Sequence, residues 1–198
     1  QSSTNFKYSQ LSDDVVANIR LPLNMSRAKA ILSVPTDATT YGADARISGK
    51  GTYQTFSMVG SADRFESSDK SGLVGITDFI TDYQYFYDGK LNPSRKVDCQ
   101  KTASQVSISQ IPLIELEKAL VMSNITPFSF KEFQSNFVIG RALSLHNGIY
   151  DTRGKDFNLQ VEYTGQAPAI AIKNKLWCNF VSHLRRIVFK GNGISLEV

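Results

Sequence analysis

The chain has 198 residues, 41% of them hydrophobic and 20% charged, with a formal net charge of +4. That composition supplies a sizeable core and argues against a disordered or fibrous chain. Its cations are scattered, with pairs such as Arg185-Arg186 the densest cluster, so no specific nucleic-acid surface is indicated, and no apolar run approaches the roughly 18 residues of a membrane-spanning helix.

Residues 1–24 are polar and weakly patterned, and read as an extended N-terminal arm or connector. The opening lacks a charged start followed by an apolar run, so it does not read as a signal peptide. In "SRAKAILSV", Ala28, Ala30, Leu32 and Val34 alternate with Lys29, Ile31 and Ser33, the period of a strand. A turn-rich stretch follows, then strand character at 52–59 and a polar loop over 60–72. "LVGITDFITDYQYFYDG" is β-prone and closes on Asp88-Gly89, a turn signal. Within it Tyr83, Tyr85 and Tyr87 share one strand face, and Phe86 and Gln84 take the other.

"IPLIELEKALVMSN" breaks the β pattern. Leu113, Leu116, Ala119 and Leu120 fall at helical spacing, and Pro112 suits a first turn. Glu115 and Glu117 lie toward the start, where the helix dipole favours anions. One short amphipathic helix is expected near 112–123. Strand character returns at 136–145. Over 157–163, Phe157, Leu159, Val161 and Tyr163 alternate strictly with polar residues. The run 176–189 is long enough to require a bend or bulge. It is apolar on both faces, which suits burial on both, and His183, Arg185 and Arg186 interrupt it where water or a partner carboxylate should reach them. A Gly191-Asn192-Gly193 turn should fold "ISLEV" back as a last strand. About eight strands, one helix and no βαβ alternation indicate an all-β antiparallel sandwich.

No catalytic constellation emerges. Ser182 and His183 are adjacent in a strand, which points their side chains to opposite faces, and His183 reads as a half-buried polar residue facing a neighbouring strand or subunit. His146 precedes a turn. The two histidines stand far apart with no Cys or carboxylate at ligand spacing, so no metal site is expected, and no cofactor motif is present. "GKGT" at 49–52 lacks P-loop spacing. Asp63, Glu66 and Asp69 lack the alternation and glycine of a calcium loop. Cys99 and Cys178 read as reduced, partly buried thiols. The tyrosine strand reads as packing or interface surface, because neighbouring Asp78, Asp82 and Asp88 would repel phosphate.

"YQYFYDGKLNPSRKV" followed by "LIELEKAL" resembles the double jelly-roll major capsid proteins of virophages and Polinton (Maverick) elements. The residues carrying the resemblance are Tyr87, Gly89, Pro93 and Arg95, then Glu115 and Ala119-Leu120; the closing run from 174 is also similar. The resemblance extends loosely over 27–198 and has room for one barrel, so it implies the C-terminal jelly-roll portion of such a protein. It implies an eight-stranded jelly-roll domain over 25–198 that assembles into trimeric capsomers of an icosahedral shell, in contact with a first jelly-roll portion, or with penton and other capsid proteins. It implies a virion component, assembled in host cytoplasm or nucleus, with no catalysis. Tyr83, Tyr85 and Tyr87 would pack the barrel, Gly89 make the turn, Pro93 stiffen its exit, and Arg95 hold it to a carboxylate or carbonyl. His183, Arg185 and Arg186 would be interface residues. A carbohydrate- or ligand-binding β-sandwich module and a single jelly-roll vertex (penton) protein are the alternatives.

Overall fold

A computed structural model describes residues 2–9, 14–37, 55–56, 65–66, 80–99, 109–127, 129–135, 137–143, 149–163, 175–190 and 193–197. In chain order the elements are β1 (Ser2–Ser9), β2 (Val16–Arg20), β3 (Ala28–Asp37), β4 (Thr55–Phe56), β5 (Phe65–Glu66), β6 (Ile80–Tyr87), β7 (Lys90–Asp98), α1 (Ile111–Met122), α2 (Phe130–Ser135), β8 (Ile139–Ala142), β9 (Phe157–Tyr163), β10 (Lys175–His183), β11 (Arg186–Lys190) and β12 (Gly193–Glu197). Two four-stranded antiparallel sheets dominate, one in the order β1-β10-β3-β8 and the other β2-β9-β6-β7. Along the chain these eight strands alternate between the sheets, except at the β6–β7 hairpin. That winding is the jelly-roll sandwich. β4 and β5 pair with each other, as do β11 and β12, outside both large sheets.

The alternation visible in the sequence marks the buried side of β9 and β2, but in β3 the core side is that of Ile31 and Ser33, while Leu32 and Val34 of the expected apolar face are half-buried, because the second sheet meets the other side. β9 is buried at every second residue, and β2 buries Ala17 and Ile19 between exposed neighbours. Ile19, Tyr83, Tyr85, Leu159 and Val161 of one sheet share a core with Ile31, Ile139, Trp177 and Val181 of the other. Removal of this apolar surface from water, at roughly 25 cal/mol per Å², is the main force holding the sheets together.

α1 lies over β8 and reaches β3 and β7. Leu113, Leu116, Ala119 and Leu120 are its buried face. Its close approach requires Gly140: a Cβ there would stand 2.8 Å from the Leu116 Cα and 3.1 Å from the Ala119 Cβ. The Ser109 hydroxyl accepts a hydrogen bond from the Ile111 amide at 3.1 Å, and Asn124, at φ 52°, ends the helix in the left-handed conformation.

Several expectations change. Residues 1–24, expected as an arm or connector, supply the first strand of each sheet: β1 pairs with β10 and β2 with β9. Both are edge strands, and β1 carries few apolar residues, so their apolar signal is thin; Phe6 and Tyr8 nevertheless pack against the core. The glutamates of α1 do not serve the helix dipole, since no acidic residue occupies the first turn. A second helix, α2, follows from a signal the sequence did carry: Ser129 and Glu132 form a reciprocal cap. The Ser129 amide donates to the Glu132 carboxylate at 2.7 Å and the Glu132 amide donates to the Ser129 hydroxyl at 3.3 Å. The Ser129 amide and, second, its hydroxyl donate to the Glu132 carboxylate and lower its pKa.

The run 176–189 does bulge, between Ser182 and His183, and then breaks into two strands. β11 pairs with β12 from Arg186 opposite Glu197 to Lys190 opposite Gly193, so "ISLEV" does pair back. Burial on both faces holds for β10 and fails for β11, where Ile187 and Phe189 are exposed. Gly191 and Asn192 of the expected turn, His146, the stretch 38–54, most of the 60–72 loop and residues 73–79 lie outside the described residues.

Candidate functional site: the tyrosine strand, its junction with the helix and the flanking surfaces

β6 occupies the middle of its sheet, between β9 and β7. Tyr83, Tyr85 and Tyr87 point into the sandwich and are buried. Tyr83 and Tyr85 meet edge to face with centroids 6.0 Å apart, and Tyr87 stacks on Phe157 at 5.2 Å. The Tyr85 hydroxyl and the Ser33 hydroxyl of β3 lie 3.1 Å apart, a hydrogen bond from sheet to sheet through the core. Burial drives the phenol pKa values of Tyr83 and Tyr85 far up, so both remain neutral hydroxyls. Rings held this way present no face to a sugar or base.

The turn after Tyr87 has Asp88 at φ 53° and Gly89 at φ 72°, the pair of positive values that a two-residue hairpin loop demands. The Asn92–Pro93 bond is cis. Register slips here: Asn92 stands opposite Tyr85, while Val97 stands opposite Tyr83. The Gln84 side-chain amide reaches across the irregularity and donates to the Pro93 carbonyl at 2.8 Å. Arg95 is exposed, and among the described residues other groups clasp this junction.

Arg141 of β8 provides the larger part. Its guanidinium pairs with the Glu115 carboxylate of α1 and donates to the Asn92 side-chain oxygen of β7. Both Arg141 and Glu115 have largely buried side chains, 10% and 13% exposed. Glu115 also takes Lys118 at 2.7 Å. One guanidinium therefore ties together the hairpin exit and the helix, the two sequence stretches that carry the capsid-protein resemblance. Its planar fork suits this task, offering separate donors to each partner. Nothing local in "VIGRALSL" marks Arg141; an arginine inside an otherwise apolar strand is the one available signal.

On the outer face of this sheet Lys96 of β7 bridges Asp82 of β6, at 3.3 Å, and Glu162 of β9. Burial and then Glu162 raise the Asp82 pKa, and the hydrogen bond from Lys96 to Glu162 is the largest of the effects raising that of Lys96. The Asp82 charge, expected to repel phosphate, is thus already engaged by a cation.

His183, expected within reach of water or a partner, is completely buried at the end of β10, and its Nε2 lies 3.0 Å from the Thr4 hydroxyl of β1. Alternation along β10 places it on the same face as the buried Trp177 and Val181. Arg185 and Arg186 are exposed beside it. Cys99 and Cys178 are buried free thiols, and burial pushes the Cys99 thiol well up. Among the described residues no three His, Cys, Asp or Glu side chains gather as a metal-ion set, and no helix is long and apolar enough to cross a membrane.

Two apolar surfaces remain open. Ile111, Ile114, Val121 and, just past the helix end, Ile125 lie along the outer face of α1, each about half exposed or more. Ile187 and Phe189 stand on one side of β11, next to Arg185 and Arg186.

No family model and no curated protein sequence matches the chain. Solved structures do. One is described as the PBCV-1 virus capsid, quasi-atomic model, with a TM-score of 0.53, 12% identity, and 98% of this chain matched to 49% of that chain. Another is the crystal structure of PBCV-1 VP54 fitted into a cryo-EM reconstruction of the virophage Sputnik, with a TM-score of 0.54 at the same identity and the same coverage. The chain thus spans about half the length of the capsid proteins it matches, and what it shares with them, over nearly its whole described extent, is the capsid jelly-roll fold.

Proposed function

We propose that the chain is the jelly-roll portion of a viral major capsid protein of the virophage or Polinton type, acting as a structural and not a catalytic component of the virion. The observation that carries this reading is the match of 98% of the chain to about half of a capsid protein, with the jelly-roll winding intact. In this reading copies associate as trimers that tile an icosahedral shell, beside a first jelly-roll portion or penton and other capsid proteins, with assembly in host cytoplasm or nucleus. The exposed stripe on α1 and the β11 pair Ile187 and Phe189 are surfaces suited to such contacts, since contiguous apolar area on a monomer is usually covered by a partner. The burial of Tyr83, Tyr85 and Tyr87 counts against the carbohydrate-binding alternative, because stacking on a sugar needs an open ring face.

The full-length gene product should be purified and its mass measured by light scattering, with negative-stain microscopy alongside. Trimers that grow into regular shells are the expected result. A stable monomer that binds components of a glycan array would replace this reading with a lectin-like module, and pentamers would replace it with a vertex protein.

A further inference from the structure

β1 is an edge strand whose only ladder partner among the described residues is β10. Its first rung sets Ser2 opposite His183. His183 is completely buried, its Nε2 shares a hydrogen bond with the Thr4 hydroxyl of β1, and its Nδ1 makes none. A neutral imidazole fits this setting, with one nitrogen engaged and the other idle. The imidazolium fits worse, because it carries an N–H on both nitrogens and the second has only the Leu184 backbone nearby, with no well-formed hydrogen bond to it.

The surrounding charges aggravate this. β1 carries Lys7 and no carboxylate; β10 itself has none either. β3 brings Lys29, with Arg27 just before it, and its one carboxylate, Asp37, sits at the far end opposite Lys175. Arg185 follows two residues after the ring. Asp151, near the Tyr150 bridge to Ala28, is engaged by Arg153. Burial first and Arg185 second hold the ring below its ordinary pKa of 6.5, against a smaller opposing pull from the Leu184 backbone.

We infer that His183 makes β1 an acid-released strand: protonation of the ring between β10 and Thr4 detaches residues 2–9 from the sandwich and opens the edge of β10. The sign follows from linkage. The folded pKa is depressed, so the docked strand has its full stability above pH 6.5 and loses it as pH falls below that value. Between 6.5 and the lower pKa of the docked ring, the opening equilibrium rises as pH falls, by at most about tenfold per pH unit. The inference rests on the contacts of β1 and β10 and stands whether or not the chain builds a shell.

Hydrogen exchange followed by mass spectrometry, corrected for intrinsic rates, tests it between pH 7.5 and 5.0. Peptides covering residues 2–9 should lose protection progressively below pH 6.5, by at most about tenfold per pH unit, while peptides from 157–163 in β9 keep theirs. His183→Gln should abolish the pH dependence at 2–9. Should that variant fail to fold, a proton NMR titration of the unaltered ring, assigned with His146→Gln, serves instead: its apparent pKa should lie below 6.5 and coincide with loss of β1 protection. Parallel loss in β9, a pH dependence unchanged in His183→Gln, or a ring that titrates normally while 2–9 stays protected would each overturn the inference.

Discussion

Trp177 on β10 is completely buried, whereas Phe189 on β11, in the same run of sequence, leaves 76% of its surface exposed. Both are aromatic, both sit in strands, and both alternate with apolar or polar neighbours in similar fashion. They differ in what stands opposite. β10 has β1 on one side and β3 on the other, with the second sheet across the core; β11 pairs, among the described residues, with β12 alone. Burial is thus a property of the partner surfaces that a strand acquires, and hydrophobicity along a strand records only its capacity to be buried. The difference also separates two tasks: β10 holds the sandwich together, and β11 remains available for contact with another surface.

The most direct way to break this comparison is to truncate both rings. Trp177→Ala should cost about 3–5 kcal/mol of unfolding free energy, the usual range for a large buried aromatic. Phe189→Ala should stay within roughly 0.5 kcal/mol, as exposed substitutions do. Urea denaturation of the unassembled chain measures both. A Phe189→Ala loss comparable to that of Trp177→Ala would mean that the hairpin packs against the sandwich after all.

A smaller effect tests whether the polar junction belongs with the buried half of the molecule. Arg141→Ala should cost about 2–3 kcal/mol, because it strands the Glu115 carboxylate in a largely buried position while loosening α1 from the β7 turn. Arg141→Met combined with Glu115→Leu should recover most of that loss, since no charge is then left unpaired. Thermal melts of the single and double variants decide this. A double variant as unstable as the single would show that Asn92 and the turn, not the stranded carboxylate, account for the cost.

Lys96 provides the smallest effect and the exposed counterpart. Its side chain is 44% exposed, so its pairs with Asp82 and Glu162 are worth about 0–1 kcal/mol after solvent screening. Its folded pKa is raised above 10.5, which places its contribution fully below that pH and removes it as pH climbs higher. The stability difference between the native chain and Lys96→Gln should therefore shrink between pH 9 and pH 12 in parallel denaturation series. A difference that grows instead would contradict the ion-pair assignment.

What the sequence by itself determined is what depends on neighbours along the chain. The period of two in 157–163, the helical spacing of Leu113, Leu116 and Leu120, the Asp88-Gly89 turn and the inward tyrosines each follow from backbone geometry acting over a few residues, and each is present in the structure. β1 and β2 did not stand out, because an edge strand needs few apolar residues and becomes a strand mainly through the ladder that receives it. The inward turn of His183, the exposure of Phe189 and the grip of Arg141 on Glu115 and Asn92 were decided by tertiary structure alone. Each depends on groups far away along the chain, as with Thr4 and His183, and no local pattern records which distant surface a side chain will meet.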